Sequence, residues 1–148
     1  MRGYTVDVNG TIARAYGKEL PISPKKAYEV CNLLRGKSYN KAKKMLEEII
    51  ELKRAVPIRR YNQETAHKRG IGPGRYPVKV SKYMLKVFSN VESNAKEAGI
   101  NLENSYIAII SASRGMITKG YMQRAHGRSS AWNEQTTNIE LVIKERSE

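Results

Sequence analysis

The sequence predicts an α+β protein in which strands near the two ends of the chain enclose three amphipathic helices. Apolar residues recur at helical spacing in three separate stretches, and they alternate with polar residues near both ends of the chain. A long basic stretch with little to bury separates the last two strands. The chain has 148 residues, enough for a modest core, and we expect a single domain over residues 1–148.

The first strand is predicted over Thr11–Leu20. Ahead of it, Tyr4, Val6 and Val8 alternate with polar residues, which favours a short strand or an ordered arm. The second strand is the short apolar run Tyr106–Ile110. The third shows the period of two that is typical of a half-buried strand. Its apolar residues are Ile139, Leu141 and Ile143, and the polar residues beside them are Asn138, Glu140 and Lys144.

The first two helices are predicted from their capping residues and apolar stripes. Ser23 is a preferred N-cap, Pro24 suits the first helical position, and Gly36 suits the position after the last turn. Ser38 or Asn40 caps the second helix, whose acidic side we expect to face away from nucleic acid or toward a protein. The stripes expected in the core are Ala27, Val30, Cys31 and Leu34, then Ala42, Met45, Leu46, Ile49 and Ile50.

The third helix is predicted to begin at Pro77 or Ser81 and to end at Gly99. We expect it to be the central helix that packs on the sheet, because its apolar stripe extends over four turns. The stripe consists of Met84, Val87, Phe88, Val91, Ala95 and Ala98.

Between residues 53 and 82 the composition changes. The stretch contains nine basic residues, three glycines and three prolines, but one acid, Glu64. Flat side chains lie between the charges: Tyr61, His67 and Tyr76. A basic loop with glycines lets the backbone approach phosphates, while guanidinium and aromatic planes stack on unpaired bases. The pattern predicts an RNA-binding loop over residues 53–82, and a flexible, solvated insertion is the alternative.

Residues 111–133 lie between the last two strands and offer little to bury. Between Ser105 and Asn133 there is no acidic residue. Because a structureless loop of this length is unusual in a compact domain, we predict that the strands continue outward as an extended β-hairpin. Arms of about 11 residues would reach about 35 Å beyond the body. A two-stranded ribbon is marginal in water, which favours a surrounding polyanion; a disordered surface loop is the alternative.

The charge of the chain indicates a polyphosphate partner. Lysine and arginine number 27 against 14 acidic residues, which gives a net charge of +13 and favours nucleic acid over a membrane surface. No apolar run is long enough to span a membrane, and we expect no signal peptide because the amino-terminal residues lack an apolar core. The single cysteine, Cys31, cannot form an internal disulfide and is expected in the core. The cytoplasm is the expected compartment.

No constellation in the sequence predicts catalysis. Ser23 and Lys26 match the Ser-x-x-Lys spacing of acylating serine enzymes, but companion motifs are missing and helix capping explains the serine. His67 and His126 are the only histidines, and neither belongs to a cluster with metal-ligand spacing. The glycines of residues 70–74 are not followed by the Gly-Lys-Ser/Thr of a phosphate loop. We expect no catalytic residue, no metal site and no cofactor.

Two stretches carry specific motifs: residues 23–49, SPKKAYEVCNLLRGKSYNKAKKMLEEI, and residues 124–143, RAHGRSSAWNEQTTNIELVI. The first resembles the helix pair, and the second the carboxy-terminal signature, of the ribosomal protein twenty-two family of the large subunit. Residues 54–80 resemble the insertion of archaeal and eukaryotic members. Many members have proline immediately before the tip Arg-Ala, where this chain has Gln123. The signature residues present here are Arg124, Ala125, Gly127 and Arg128, followed by Thr136 and Ile139.

The resemblance implies a fold and a non-enzymatic function. It implies a three-stranded antiparallel sheet packed with three helices, and a long extended β-hairpin. Members are structural constituents of the large ribosomal subunit that bind its ribosomal RNA and neighbouring proteins, and the hairpin tip lines the exit tunnel of the nascent polypeptide. The ribosomal RNA contacts expected here are Arg14, Lys25, Lys26, Arg35, Lys37, Arg59, Arg60, Tyr61, His67, Lys68, Arg69, Arg75, Tyr76, Arg114, Lys119, Arg124, His126, Arg128 and Trp132. The tunnel-lining residues expected at the tip are Tyr121, Met122, Gln123, Arg124, Ala125 and His126.

Two other classes of protein share part of this pattern. A DNA-bending protein with basic β-arms has the same charge and ribbon, but such arms usually end in an apolar or proline wedge. The tip of this chain has neither beyond Tyr121 and Met122. An RNA-modifying enzyme is the other class, and the lack of paired acid and base residues or a cofactor loop counts against it.

Overall fold

The computed structural model describes residues 4–5 and 10–146, so the predicted alternation at Val6 and Val8 lies outside the described residues. Its elements confirm the α+β class. In chain order they are β1 (Ile12–Leu20), α1 (Pro24–Leu34), α2 (Tyr39–Ile50), β2 (Val56–Pro57), β3 (His67–Lys68), β4 (Gly72–Arg75), α3 (Val78–Glu97), β5 (Ser105–Thr118), β6 (Tyr121–Gln123), a 3₁₀ turn (Ala125–Gly127), β7 (Ser129–Ala131) and β8 (Glu134–Glu145).

The main sheet is antiparallel and has the order β1-β8-β5, which confirms the three-stranded sheet. The register of β1 shifts between Gly17 and Leu20, and Asn138 of β8 accepts the backbone N–H of Glu19 there at 2.8 Å. A Cβ added at Gly17 would lie 2.9 Å from a methyl group of Val87 in α3. Glycine at this position therefore lets the strand and the helix approach closely.

The three helices cover one face of this sheet. α3 packs on β1 and α2, while α1 packs on β5. The predicted stripes form the core, except that Ile50 is half-buried and Ala98 is exposed, because α3 ends one residue before Ala98. Pro77 rather than Ser81 precedes α3, and Ser81 is fully buried inside the helix.

The last strand, β8, is buried on both faces over residues 137–143, so the prediction of a half-buried last strand is wrong. Asn138 and Glu140 are only 7% and 8% exposed. Thr5 packs there and donates its hydroxyl to Glu140 Oε1 at 2.9 Å. Ser111 donates its hydroxyl to the second oxygen of Glu140 at 3.4 Å. Hydrogen bonds thus satisfy the buried carboxylate, which alternation within one strand does not reveal.

The basic segment of residues 54–80 has secondary structure of its own. It forms a small antiparallel sheet in the order β2-β4-β3. Val56 and Ile58 are buried, and the backbone N–H of Ile58 donates to the carbonyl of Pro73 at 2.9 Å. β2 also packs on α1, which brings this segment against the amino-terminal half of the chain.

The predicted extended hairpin is present, and we call residues 113–135 the ribbon. β5 and β8 pair as far as Thr118 and Glu134, and the short strands β6 and β7 pair beyond them. Gly120 joins the two parts, since its carbonyl accepts the N–H of Trp132 at 2.7 Å. A Cβ added at Gly120 would lie 2.5 Å from the carbonyl oxygen of Trp132, so the strands can approach this closely only at glycine.

Candidate nucleic-acid interface

A pocket opens where the amino-terminal end of α1 meets the segment of residues 54–80; we call it the body pocket. Its volume is about 130 Å³. Among the uncharged residues that line it, Ile58 and Thr65 are the least exposed, at 8% each. Four exposed cations from distant parts of the sequence also line it: Lys25, Lys26, Arg60 and Arg75. The fold therefore gathers predicted RNA contacts from α1 and from the basic segment around one cavity.

Tyrosine rings hold two of these cations in place. Lys25 Nζ lies 4.7 Å from the centroid of the Tyr61 ring. The Arg60 guanidinium carbon lies 5.3 Å from the same ring and 5.7 Å from the ring of Tyr28. Hydrogen bonds from Asn32 and Arg60 lower the pKa of Tyr28. These cation–π contacts orient the charged groups at the mouth of the body pocket.

A buried carboxylate, Glu29, also lines the body pocket, and sequence reasoning missed it. Glu29 is 2% exposed, and its Oε1 accepts the backbone N–H of Arg60 at 2.7 Å. A buried charge requires such partners, and here the bond fixes the basic segment to α1. The available signal was that Glu29 is the only acid in α1 and precedes Val30 of the apolar stripe.

Other predicted contacts lie nearby on the same segment. Lys68 Nζ is 5.5 Å from the centroid of the Tyr76 ring, while His67 and Arg69 are exposed around the turn between β3 and β4. A second pocket, of about 370 Å³, has Lys37 and Arg59 in its wall, and Glu29 lines both pockets.

Two predicted contacts lie elsewhere. The Arg35 guanidinium donates to the carbonyl of Ile110 at 3.4 Å, so this side chain bridges the end of α1 to β5. Arg14 lies on the sheet face opposite the helices, with its guanidinium carbon 5.2 Å from the centroid of the Tyr4 ring. That ring also packs edge-to-face on Tyr16. Neither arginine contributes to the body pocket.

The ribbon carries the remaining predicted contacts, and none of its residues is buried. Its predicted cations are all exposed, namely Arg114, Lys119, Arg124 and Arg128. Tyr121 is 75% exposed and Trp132 is 58% exposed, so flat rings are available beside the charges. Sequence reasoning did not single out Met116 and Ile117, two large apolar side chains that are exposed where the register of β5 shifts.

The tip is a compact turn. The backbone N–H of Arg124 donates to the carbonyl of Arg128 at 2.8 Å, and Arg124 Nε donates to Ser130 Oγ at 2.9 Å. His126 adopts a left-handed backbone conformation with φ of 59°. Gln123, at the position where proline is common in the resembling family, belongs to β6 and pairs with Ser129.

The described residues include no cluster of metal ligands, and the cysteine among them is buried. Within residues 4–5 and 10–146, no three histidine, cysteine, aspartate or glutamate side chains form a group that could hold a metal ion. Burial raises the pKa of Cys31 to about 12, so its reactive thiolate is scarce at neutral pH. No described helix combines the length and apolar character needed to cross a membrane.

A small helix-covered body with a basic pocket and a long, basic, unburied ribbon has the charge distribution that is typical of nucleic-acid-binding proteins. Comparison with known proteins specifies the class further. Residues 15–144 match the sequence model of the family described as ribosomal protein L22p/L17e. The chain therefore belongs to the ribosomal protein L22p/L17e family, whose members are structural and not enzymatic.

Similar archaeal proteins extend over nearly the whole chain, and each bears the name large ribosomal subunit protein uL22. The protein of Archaeoglobus fulgidus is 44% identical over 137 residues, which cover 90% of this chain and 88% of the relative. The protein of Methanococcoides burtonii is 44% identical over 144 residues, or 96% and 95% of the two chains. The protein of Thermoplasma acidophilum is 36% identical over 148 residues, or 100% and 98%. The chain is thus a family member of the archaeal type.

Proposed function

We propose that this chain is a structural constituent of the large ribosomal subunit and binds large-subunit ribosomal RNA through the body pocket and the ribbon. In this proposal the tip of the ribbon lines the exit tunnel and borders the nascent polypeptide, and the body also contacts neighbouring large-subunit proteins. The relatives' shared name supports assembly into the large subunit. The residues proposed to border the tunnel are Tyr121, Met122, Gln123, Arg124, Ala125 and His126.

The ribbon is the observation that carries the proposal. It has four cations and no buried residue, and one strand pairs with one other strand along its length. A ribbon of this kind is marginal on its own, because two strands cannot bury enough apolar surface. Surrounding RNA would supply phosphates for the arginines and stacking partners for Tyr121 and Trp132. We therefore expect the ribbon to be surrounded by RNA.

The acidic side of α2 supports the view that one part of the surface faces RNA and another part does not. Glu48 accepts a hydrogen bond from Arg54, and Glu51 lies 2.6 Å from Lys53 Nζ. These ion pairs at the start of the basic segment partly neutralise the acids. We propose that this side of α2 faces solvent or a protein, while the body pocket and the ribbon face RNA.

Salt dependence of RNA binding tests the proposal. If about six phosphates are neutralised at about −0.7 to −0.9 each, the logarithm of affinity should fall with the logarithm of salt at a slope of about −4 to −5. Filter binding with large-subunit ribosomal RNA measures this slope. Replacing Arg114, Arg124 and Arg128 together by glutamine should make the slope shallower by about 2 to 3, because three phosphate contacts are lost. A slope near zero in the unchanged protein would contradict phosphate contact as the source of affinity.

The DNA-bending alternative is tested in the same assay. Duplex DNA of matched length serves as competitor, since it carries the same phosphates without the shape of folded RNA. The proposal expects ribosomal RNA to compete far better than DNA at every salt concentration. Equal competition by DNA would favour the alternative.

A further inference from the structure

We propose that the body pocket binds one unpaired nucleotide of the RNA, with the base inside the pocket and its phosphate at the cationic rim. This inference rests on the proposed function, because it names the chemical unit of RNA that this surface recognises.

The size of the pocket suits one base. Its volume is about 130 Å³, and it opens between exposed side chains. A closed protein cavity of about 150 Å³ holds a benzene molecule. A pocket of nearly this volume that is open on one side accepts the six-membered ring of a base and leaves the sugar outside. A base pair is too wide to enter, so the nucleotide must be unpaired.

The walls of the pocket suit a flat ring. Ile58 supplies apolar surface, and Tyr61 supplies an aromatic plane. Unpaired bases stack on such planes in proteins that bind single-stranded RNA. Each base stacked on an aromatic ring contributes about 1–3 kcal/mol, measured by substituting the ring with alanine. The cation–π contacts from Lys25 and Arg60 keep the Tyr61 ring at the pocket before RNA arrives.

The charges of the pocket set the orientation of the nucleotide. Glu29, in the pocket wall, is a buried carboxylate that repels a phosphate and accepts N–H donors. The exocyclic amino groups of bases are such donors. The cations Lys25, Lys26 and Arg75 are exposed and suit the phosphate at the rim. An anion-binding pocket without Glu29 would take the phosphate inside; this one favours the base there.

Titration of the full chain with small ligands tests this orientation. The probes are adenosine 5′-monophosphate, ribose 5-phosphate and inorganic phosphate, followed by backbone amide resonances in NMR. We expect the nucleotide to shift the amides of Glu29, Ile58 and Thr65, and to bind about tenfold or more tightly than ribose 5-phosphate. Ribose 5-phosphate that shifts these amides with equal affinity would overturn the proposal, because the base would then contribute nothing.

A pair of tyrosine variants tests the role of the ring without changing charge. Tyr61→Ala removes the plane at the pocket, and Tyr83→Ala removes a tyrosine of α3 that lies outside the pocket and, like Tyr61, contacts a lysine, Lys86. We expect Tyr61→Ala to weaken nucleotide binding about tenfold and Tyr83→Ala to leave it unchanged. Equal affinities of Tyr61→Ala and the unchanged protein would contradict a stacked base.

The salt titration separates this inference from the proposed function. If the nucleotide does not enter the pocket but the slope with ribosomal RNA remains steep, only the nucleotide site is wrong. If the slope is also flat, the RNA-binding function itself is wrong.

Discussion

Glu92 connects two helices through the hydrogen bonds and ion pairs of a single carboxylate. Tyr39 donates its hydroxyl to Glu92 Oε2 at 3.2 Å, and Lys43 Nζ, also of α2, lies 3.1 Å from the same oxygen. Lys96 Nζ, one turn along α3, lies 3.5 Å from the other oxygen. The hydrogen bond from Lys43 and the neighbouring charges lower the pKa of Glu92. The partly exposed carboxylate therefore stabilises the contact of α2 with α3 in its ionised form.

We expect the stabilisation by Glu92 to depend on pH. Because its pKa is lower in the folded than in the unfolded chain, the stabilisation is complete above the unfolded pKa and is lost as pH falls through the folded pKa. Glu92→Gln should cost about 0.5–1 kcal/mol at pH 7 and much less at pH 3, measured by urea unfolding. Glu97→Gln, at an exposed position at the end of α3, is the matched control and should cost little at either pH. A cost of Glu92→Gln that is the same at both pH values would contradict an electrostatic role.

The ribbon and α3 differ strongly in how many of their residues are buried. α3 buries seven residues, among them Phe88, and packs against β1 and α2. The ribbon buries none, although its two strands pair over most of its length. Local stability follows buried apolar contacts more closely than it follows hydrogen bonding in exposed backbone. Regular secondary structure therefore does not make the ribbon stable by itself.

Hydrogen exchange of the RNA-free protein should reveal this difference. We expect little protection in the ribbon and strong protection over residues 80–95 of α3. β8 contains an internal control, because Glu134 and Gln135 are exposed whereas Ile139–Ile143 are buried. Protection should therefore rise along this one strand near Thr137, and binding of ribosomal RNA should extend it to the ribbon. Strong protection of the ribbon without RNA would show that the hairpin is stable alone.

Elements with a strong apolar pattern were predictable from the sequence, and elements held by other segments were not. The stripe from Met84 to Ala95 places α3 because many buried side chains repeat at one period. β2 and β3 have two residues each, too few to show a period, and they exist because both pair with β4, for example Val56 with Arg75 and His67 with Pro73.

The same distinction applies to the candidate site. Its cations were predictable because charge and composition are visible residue by residue, as at Arg60 and Arg75. The pocket was not predictable, because it depends on a hydrogen bond between residues far apart in the sequence: Glu29 accepts the backbone N–H of Arg60. Likewise, the buried Glu140 accepts a hydrogen bond from Thr5, a residue that lies 135 positions away in the sequence and outside any pattern within β8. Tertiary partners, and not local propensity, decide such residues.

At the scale of the whole molecule, positive charge is concentrated on the basic segment and on the ribbon. The fold holds these two parts in place in different ways. The cations of the basic segment stand on a small sheet fixed to α1, whereas those of the ribbon stand on two paired strands beyond the core. In the proposed function the first part directs assembly into the subunit and the tip borders the tunnel. The two roles should therefore separate when each part is altered by itself.

The last prediction compares a tip deletion with a reversal of charge on the basic segment. Deleting Lys119–Ser129 and closing the ribbon with a short turn leaves the Thr118–Glu134 pair and the whole core intact, so thermal stability should change little. In cells that depend on the altered copy, large subunits should still form, while stalling by nascent peptides should change because the tip is absent. Reversing exposed Arg69 and Arg75 to glutamate should instead impair assembly, since attraction to phosphate becomes repulsion. Arg60 is left unchanged because its guanidinium contacts two tyrosine rings.

The control for charge reversal is the pair Lys41→Glu and Lys44→Glu on the exposed side of α2, which changes net charge by the same amount. If position matters, subunit profiles should be near normal for this pair and depleted of large subunits for the arginine pair. Equal depletion by both pairs would mean that total charge, and not the surface around the body pocket, drives assembly. A tip deletion that blocks assembly, together with a silent arginine reversal, would assign the two roles the other way round. That result would mean that the ribbon makes the first contact with RNA. The ribbon of the free protein would then have to be ordered enough to bind RNA.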